Sequence, residues 1–439
     1  MRTFIFFLLI GWFIFLLVAC EGGGGDGGAS EGGSSSLAST PSPTASQGKG
    51  KAEATVVVLP TPPRVTVKVW GPEALSPQAS GDEGVVLREQ VEAFEVSNPN
   101  VDVVYEPKPM SGPAGVLNYV RSARAVAPTV LPDLVILSSA ELEQAVQMQL
   151  LFPLDEWIAE GSRNDFYPFA VRDTIVDGKL FALPLSVQVE HGVIRDESPS
   201  ITVTKLEELL ADEAPTWLFA GQARAEGEMS NALLLQLMAI NEQRFSPTSL
   251  PSRDKFVALF TTLQAAGQGG AIPQQVLSLD EGKTLYERLR SGQADLIESN
   301  SRQYMLDNGR DILFAQLPTL TGSSTTVIDG YLIALTTEEP TQQQAAIGYL
   351  KWLLAPSRLA QWNRAYNGLP PRRSSLKESI DDEAYQQFLA QQLENGWLRP
   401  SGTNWHDFSQ IMQEQFRAVM LEQSSPTEAV DTILDTYAP

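Results

Sequence analysis

A single cysteine, Cys20, stands in 439 residues, so neither an intramolecular disulfide nor a cysteine-based metal site can be built. The fold must hold by its core alone. Histidine is nearly as scarce, and His191 and His406 are too few for a poly-histidine metal site. Cations are short as well: 31 Lys and Arg against 53 Asp and Glu give a formal net charge of −22. Phosphate backbones need a Lys/Arg surface, which argues against nucleic acid, and a basic membrane-surface patch is equally disfavoured. Chemical motifs are also missing, with no Walker loop, His-Glu-x-x-His, Gly-x-Ser-x-Gly or Gly-x-Gly-x-x-Gly. Glu190 with Asp196 or Asp329 could be cast as a glycosidase pair, but in so acidic a chain a chance pairing is expected. No enzyme activity, catalytic residue, metal or cofactor is predicted.

The chain does have an export signal. Met1-Arg2 is followed by an uncharged run from Phe4 to Ala19 and by Leu17-Val18-Ala19-Cys20. A basic start, an apolar middle and small residues before a cleavage point make a secretory signal over residues 1–20. A transmembrane helix is the alternative; it needs about 20 apolar residues, and this run is shorter and ends on Cys. Residues 21–63 are rich in Gly, Ser and Pro and have nothing to bury, so a disordered tether is predicted. As a Gly/Ser coil it would reach on the order of 40 Å.

From Arg64 onward the periodicity is globular. Val65, Val67 and Val69 alternate with polar residues as a strand does, and Trp70-Gly71-Pro72 ends it. Leu87, Val91 and Phe94 fall at helical spacing, and Val101–Tyr105 is the next strand. A helix over 115–126 and the run Pro132–Ser139 continue a β-α-β-α-β pattern, which predicts parallel strands in an α/β sheet. Ligands of such sheets bind beyond the carboxyl ends of the strands, which singles out Trp70, Ser138 and Ser139. Trp70 could equally be a core aromatic, and one of the serines could cap the following helix.

The stretch 179–196 organises the rest. Asp177-Gly178 turns, and Val187, Val189, Val193 and Ile194 are β-branched, so an extended crossing between two globular halves is predicted. Polar Gln188, Glu190 and His191 interrupt it. An unsatisfied buried polar group costs roughly 1–3 kcal/mol, so these residues either pair internally or line a cavity; the cavity is the reading adopted. A second polar run, Ser299–Tyr304, follows the Leu289–Ile297 helix-turn-strand signal. Asn300 or Ser299 could cap a helix there, while the Arg302 guanidinium could clamp a carboxylate or hydroxyls with its fork of donors.

Several of these runs resemble extracellular solute-binding proteins of ABC importers, the maltose-binding-protein-like family 1. The similar segments are Pro132–Leu137, Leu150–Ile158, the Lys179–Pro184 crossing, Leu289–Asn300, Phe314–Pro318 and Ile328–Leu335. The tail Tyr349–Ser357 with Asn367–Leu376 is the most specific match, and likeness extends from about Arg64 to the end. Leu-Val-Ala-Cys resembles a bacterial lipobox, which implies lipidation of Cys20 and anchoring to the outer face of the cytoplasmic membrane.

The resemblance implies an α/β two-lobed periplasmic-binding-protein-like fold of type II, with a multi-strand hinge and an interlobe cleft. The expected first lobe is 64–187 with 298–337, and the second is 188–297 with 338–439. It also implies a monomer that captures a small solute, most often a carbohydrate, by hinge closure and presents it to ABC permease subunits. Stacking is expected from Trp70, Tyr304, Tyr331 and Trp405, and polar contacts from Ser138, Ser139, Gln188, Glu190, Asn300, Arg302 and Asp329. Leu137-Ser138-Ser139-Ala140 departs from sugar-binding relatives, which often carry aromatic and acidic residues there. A ligand-sensing lipoprotein without transport, or a surface hydrolase, remains as an alternative.

Overall fold

The computed structural model describes residues 64–437 apart from 111, 113, 197–201, 224–227, 242–249, 281 and 308–310. The expected signal, Cys20 and the tether lie outside the described residues. Within 61–439, one compact unit, the first strands and helices alternate: β1 (Val65–Gly71), α1 (Asp82–Ser97), β2 (Val101–Pro107), α2 (Val116–Val126) and β3 (Leu134–Ser138). β1 pairs in parallel with both β2 and β3, as the β-α-β-α-β pattern requires. Short α3 (Leu142–Gln147), α4 (Pro168–Arg172), β4 (Ile175–Val176) and β5 (Lys179–Leu180) lead to β6 (Ala182–Arg195).

β6 is the long crossing strand, and almost every residue in it is buried. Its first half pairs antiparallel with β10 (Val327–Leu335), from Ala182↔Ala334 to Val189↔Ile328. Its second half pairs with β8 (Leu296–Asn300) and β9 (Ile312–Ala315). β7 (Trp217–Leu218) extends β8, so one mixed sheet runs β2-β1-β3-β10-β6-β8-β7. Gly192 is needed where both flanking strands close in: a Cβ there would lie 2.8 Å from Leu296 Cδ1 and 3.1 Å from the Ala315 carbonyl oxygen.

Pro184 cannot donate to a ladder, and the register slips beside it, from Ser186↔Tyr331 to Pro184↔Leu332. The skipped Leu185 leaves a carbonyl that would be orphaned. The buried amide of Asn363 takes it, Nδ2 donating at 3.1 Å.

Two apolar cores hang on this shared sheet. Val67–Val189 contribute to one and Val193–Val327 to the other, so the chain changes body within β6, between Val189 and Val193. The second body holds α5 (Asn231–Ile240), α6 (Arg253–Gln268), α7 (Lys283–Arg290) and, at its junction with the first, α8 (Ser301–Leu306). Chain order then brings α9 (Pro340–Leu353), α10 (Pro356–Tyr366), α11 (Arg373–Ser379), α12 (Glu383–Asn395) and β11 (Trp397–Leu398). α13 (Thr403–Met420) and α14 (Pro426–Tyr437) close the chain.

The packing divides the chain differently from the expected lobe boundaries. Ile312, Leu317 and Val327 join the second core because β9 returns antiparallel onto the second half of β6. Ala346–Leu398 join the first core, where Tyr349 meets Phe94 and Tyr105, and only Trp405 onward belongs to the second. The return passage between bodies is therefore β10, not the 298–300 region.

Candidate functional site

Where the two bodies meet, at the β3 carboxyl end, a cavity of about 350 Å³ opens. That volume falls in the range of small-molecule sites. Its walls come from eight places in the chain, Met110 and Arg399 among them. β3 ends on Ser138, whose backbone N–H donates to Glu141 Oε2 at 3.1 Å in a capping box. β6 supplies Ser186, Val187 and Gln188; β10 supplies Asp329, Gly330 and Tyr331; Arg302 opens α8; Glu228 precedes α5; Tyr366 ends α10.

Close strand approach shapes the floor. Val187 exchanges backbone hydrogen bonds with Leu369, at 2.9 and 2.8 Å, which draws the Asn367-Gly368 turn against β6. Asn367 holds φ at 57° there, a left-handed C-cap. Gly330 admits no side chain: a Cβ would lie 2.5 Å from the Ser186 carbonyl oxygen and 2.6 Å from Val187 Cγ1.

The polar groups form two systems. Arg399, 3% exposed, grips Asp329 with a two-pronged ion pair, Nε to Oδ1 at 2.8 Å and Nη2 to Oδ2 at 3.2 Å, and also donates to Asn231 Oδ1. That network joins β10 and the segment after β11 to the first residue of α5. In the second, Arg302 lies over the Tyr366 ring, Cζ 4.4 Å from its centroid, while Nε donates to the Tyr366 carbonyl oxygen at 3.2 Å. Tyr366 is itself stacked on Trp362 at 5.2 Å and meets Tyr331 edge-on at 6.4 Å. Burial pushes the Tyr366 hydroxyl above the usual tyrosine range, so it stays a neutral donor.

Of the eleven residues expected at a ligand site, Ser138, Gln188, Arg302, Asp329 and Tyr331 line this cavity together. Six stand outside its lining, each with structural work of its own. Trp70 is 4% exposed, with Nε1 donating to Glu106 and Lys108 above its ring. Ser139 accepts from the Gly330 N–H at 3.4 Å behind the floor. Glu190 is 4% exposed in the crossing strand. Asn300 caps α8 through the Gln303 N–H at 2.9 Å. Tyr304 packs on His191, Phe314 and Tyr385. Trp405 lies in the second core, its ring 5.9 Å from that of Phe408.

The polar stretch in β6 therefore splits. Gln188 faces the cavity, whereas His191 is paired internally: the Gly192 carbonyl can only accept, so Nδ1 carries the proton and Nε2 accepts from the Tyr385 hydroxyl at 3.0 Å. Among the described residues no group of three or more His, Cys, Asp or Glu could hold a metal ion.

A family model described as bacterial extracellular solute-binding protein matches residues 89–388. The chain belongs to that family. Membership makes this solute-binding protein an exported one. No curated protein sequence matches it. Among solved structures it is similar to a cyclic α-maltosyl-1,6-maltose binding protein from Arthrobacter globiformis. That likeness has a TM-score of 0.70 at 17% identity, covering 85% of this chain and 98% of the other. The sugar-binding protein MalE of Xanthomonas citri gives 0.67 at 20% identity, over 85% and 96%. A cyclo/maltodextrin-binding protein complexed with maltotetraose gives 0.67 at 15%, over 86% and 97%. These likenesses carry the two-lobed fold.

Sequence reasoning about this solute-binding protein missed Tyr366, Gly368, Glu228 and Arg399. Tyr366 and Gly368 flank Asn367 at the start of the Asn367–Leu376 tail motif, which was legible as a motif but not as a wall of the cavity. Arg399 carried no local signal, because its partner Asp329 is 70 residues away.

Proposed function

We propose that this protein is the lipid-anchored, extracytoplasmic binding subunit of an ABC importer, and that it captures a carbohydrate by hinge closure. The observation that carries the reading is the cavity, with Ser138, Gln188, Arg302 and Asp329 in its wall, between two cores joined by β6 and β10. Two extended strands can absorb a rotation of one body against the other, and a bound solute that touches both walls shifts that equilibrium by its differential affinity. Carbohydrate is favoured by the names of the similar structures, which bind maltose-type sugars, and by a lining of hydroxyl, amide and charged groups beside Tyr331 and Tyr366. The anchor is supported by Leu17-Val18-Ala19-Cys20; a tethered receptor of this kind hands its solute to membrane permease subunits and is not itself an enzyme.

A thermal-shift screen of the purified protein against saccharides, polyols, amino acids and peptides tests the reading. A saccharide at 100 times its dissociation constant should add about 2.7 kcal/mol to stability. A screen in which only amino acids or peptides raise the melting temperature, or in which nothing does while the protein stays folded, would contradict it.

A further inference from the structure

Among the described residues, Arg302 is a cation without a counter-ion. In a chain with 53 carboxylates to 31 Lys and Arg, partners are abundant, and ten arginines among the described residues have a carboxylate oxygen within 4 Å. The other arginine of the cavity, Arg399, is taken up by Asp329 and Asn231. Among the described residues, Arg302 has only the Tyr366 carbonyl on Nε and the Tyr366 ring beneath its plane, and Nη1 and Nη2 have no acceptor. Its side chain is half-buried and forms part of the cavity wall. The two existing contacts fix the orientation of the guanidinium and leave one edge free: the paired Nη1 and Nη2 groups, spaced for two parallel bonds to one planar anion.

Water could solvate this edge, but partial burial removes some of that solvation and so raises the gain from an anionic partner. Glu228 lines the same cavity and likewise has no partner among the described residues, standing more than 4.0 Å from every described cation. It suits hydroxyl donors. The cavity therefore offers a positive fork at Arg302, an acceptor at Glu228, and the ring of Tyr331 for a sugar face.

We infer that the solute is an anionic saccharide whose carboxylate or sulfate is held by the free edge of Arg302; this rests on the carbohydrate reading above. A neutral maltose-type sugar would leave the guanidinium without a charged partner.

Calorimetric titration of the purified protein with matched pairs decides it: galactobiose, cellobiose and mannobiose, their uronate counterparts, and sulfated galactobiose. At least one anionic member should bind on the order of 100-fold more tightly than its neutral partner, with affinity falling as salt rises. Uronate and sulfate arms identify which anion is preferred. Arg302→Gln should lose that advantage while keeping its unliganded melting temperature, and Arg302→Lys should retain part of it. Neutral sugars binding as tightly as their anionic partners would overturn the inference and leave the carbohydrate reading standing. No binding by either class, with no saccharide raising the melting temperature, would overturn both.

Discussion

Arg399→Leu should destabilise the protein by about 3–5 kcal/mol, the usual cost of stranding one partner of a buried ion pair. Arg399 is 3% exposed and the Asp329 side chain 13% exposed, so little water is at hand to replace the lost cation. Asp329 lies on β10, one of the two strands shared by both bodies, and Asn231, the third member, begins α5 of the second core. Loss of the arginine therefore loosens the joint as well as the cavity wall. Removing the stranded charge in the double variant Arg399→Leu, Asp329→Asn should recover more than half of the loss. Chemical denaturation of the three proteins measures both numbers. A single variant within 1 kcal/mol of the parent would mean that the pair carries no net stability, as exposed pairs often do not.

The contribution of His191 to stability should also fall as pH drops below about 6.5, by about 3 kcal/mol once pH reaches the region of 4. Burial pushes this imidazole down to about 4, against a backbone hydrogen bond to Gly192 that acts the other way. It is 1% exposed, ringed by Tyr304, Tyr385 and Phe388 where β6 passes between the bodies. The unfolded chain takes up the proton at its ordinary value near 6.5, and the folded chain only near 4. Between those values the unfolded state binds more protons, so acidification favours it. Glu141 works in the opposite sense: burial pushes its carboxyl up to about 7, so from there down to its ordinary value near 4.5 the folded state holds the extra proton. The histidine contribution is thus read as the difference between parent and His191→Gln across pH 4–7. A difference that does not change with pH would show that the imidazole titrates normally.

Local chemistry made much of the fold legible. β-branched residues at 187, 189, 193 and 194 marked the crossing strand, and the alternation at 65–69 with the apolar run at 134–137 marked parallel strands. Which body a helix joins was not legible. An amphipathic face such as that of α9 records that the helix is buried, not against what, so the lobe limits drawn at 298 and 338 differ from the packing. The site split along the same line. Gln188 could be read from a polar residue inside a strand, whereas Asp329 and Tyr331 followed only from the family resemblance of Ile328–Leu335. Trp70 and Trp405 could not be resolved, because an aromatic at an element's end has the same sequence signature whether its ring meets a ligand or a core. Tyr366 and Arg399 reach the cavity only through contacts remote in sequence.

Small-angle scattering of the purified protein, with and without a saturating saccharide from the thermal screen, tests the central claim most directly. Two bodies that swing together on β6 and β10 should give a smaller radius of gyration and a shorter maximum dimension when the solute is bound. A solute that raises the melting temperature yet leaves the scattering curve unchanged would contradict closure of the two bodies around it.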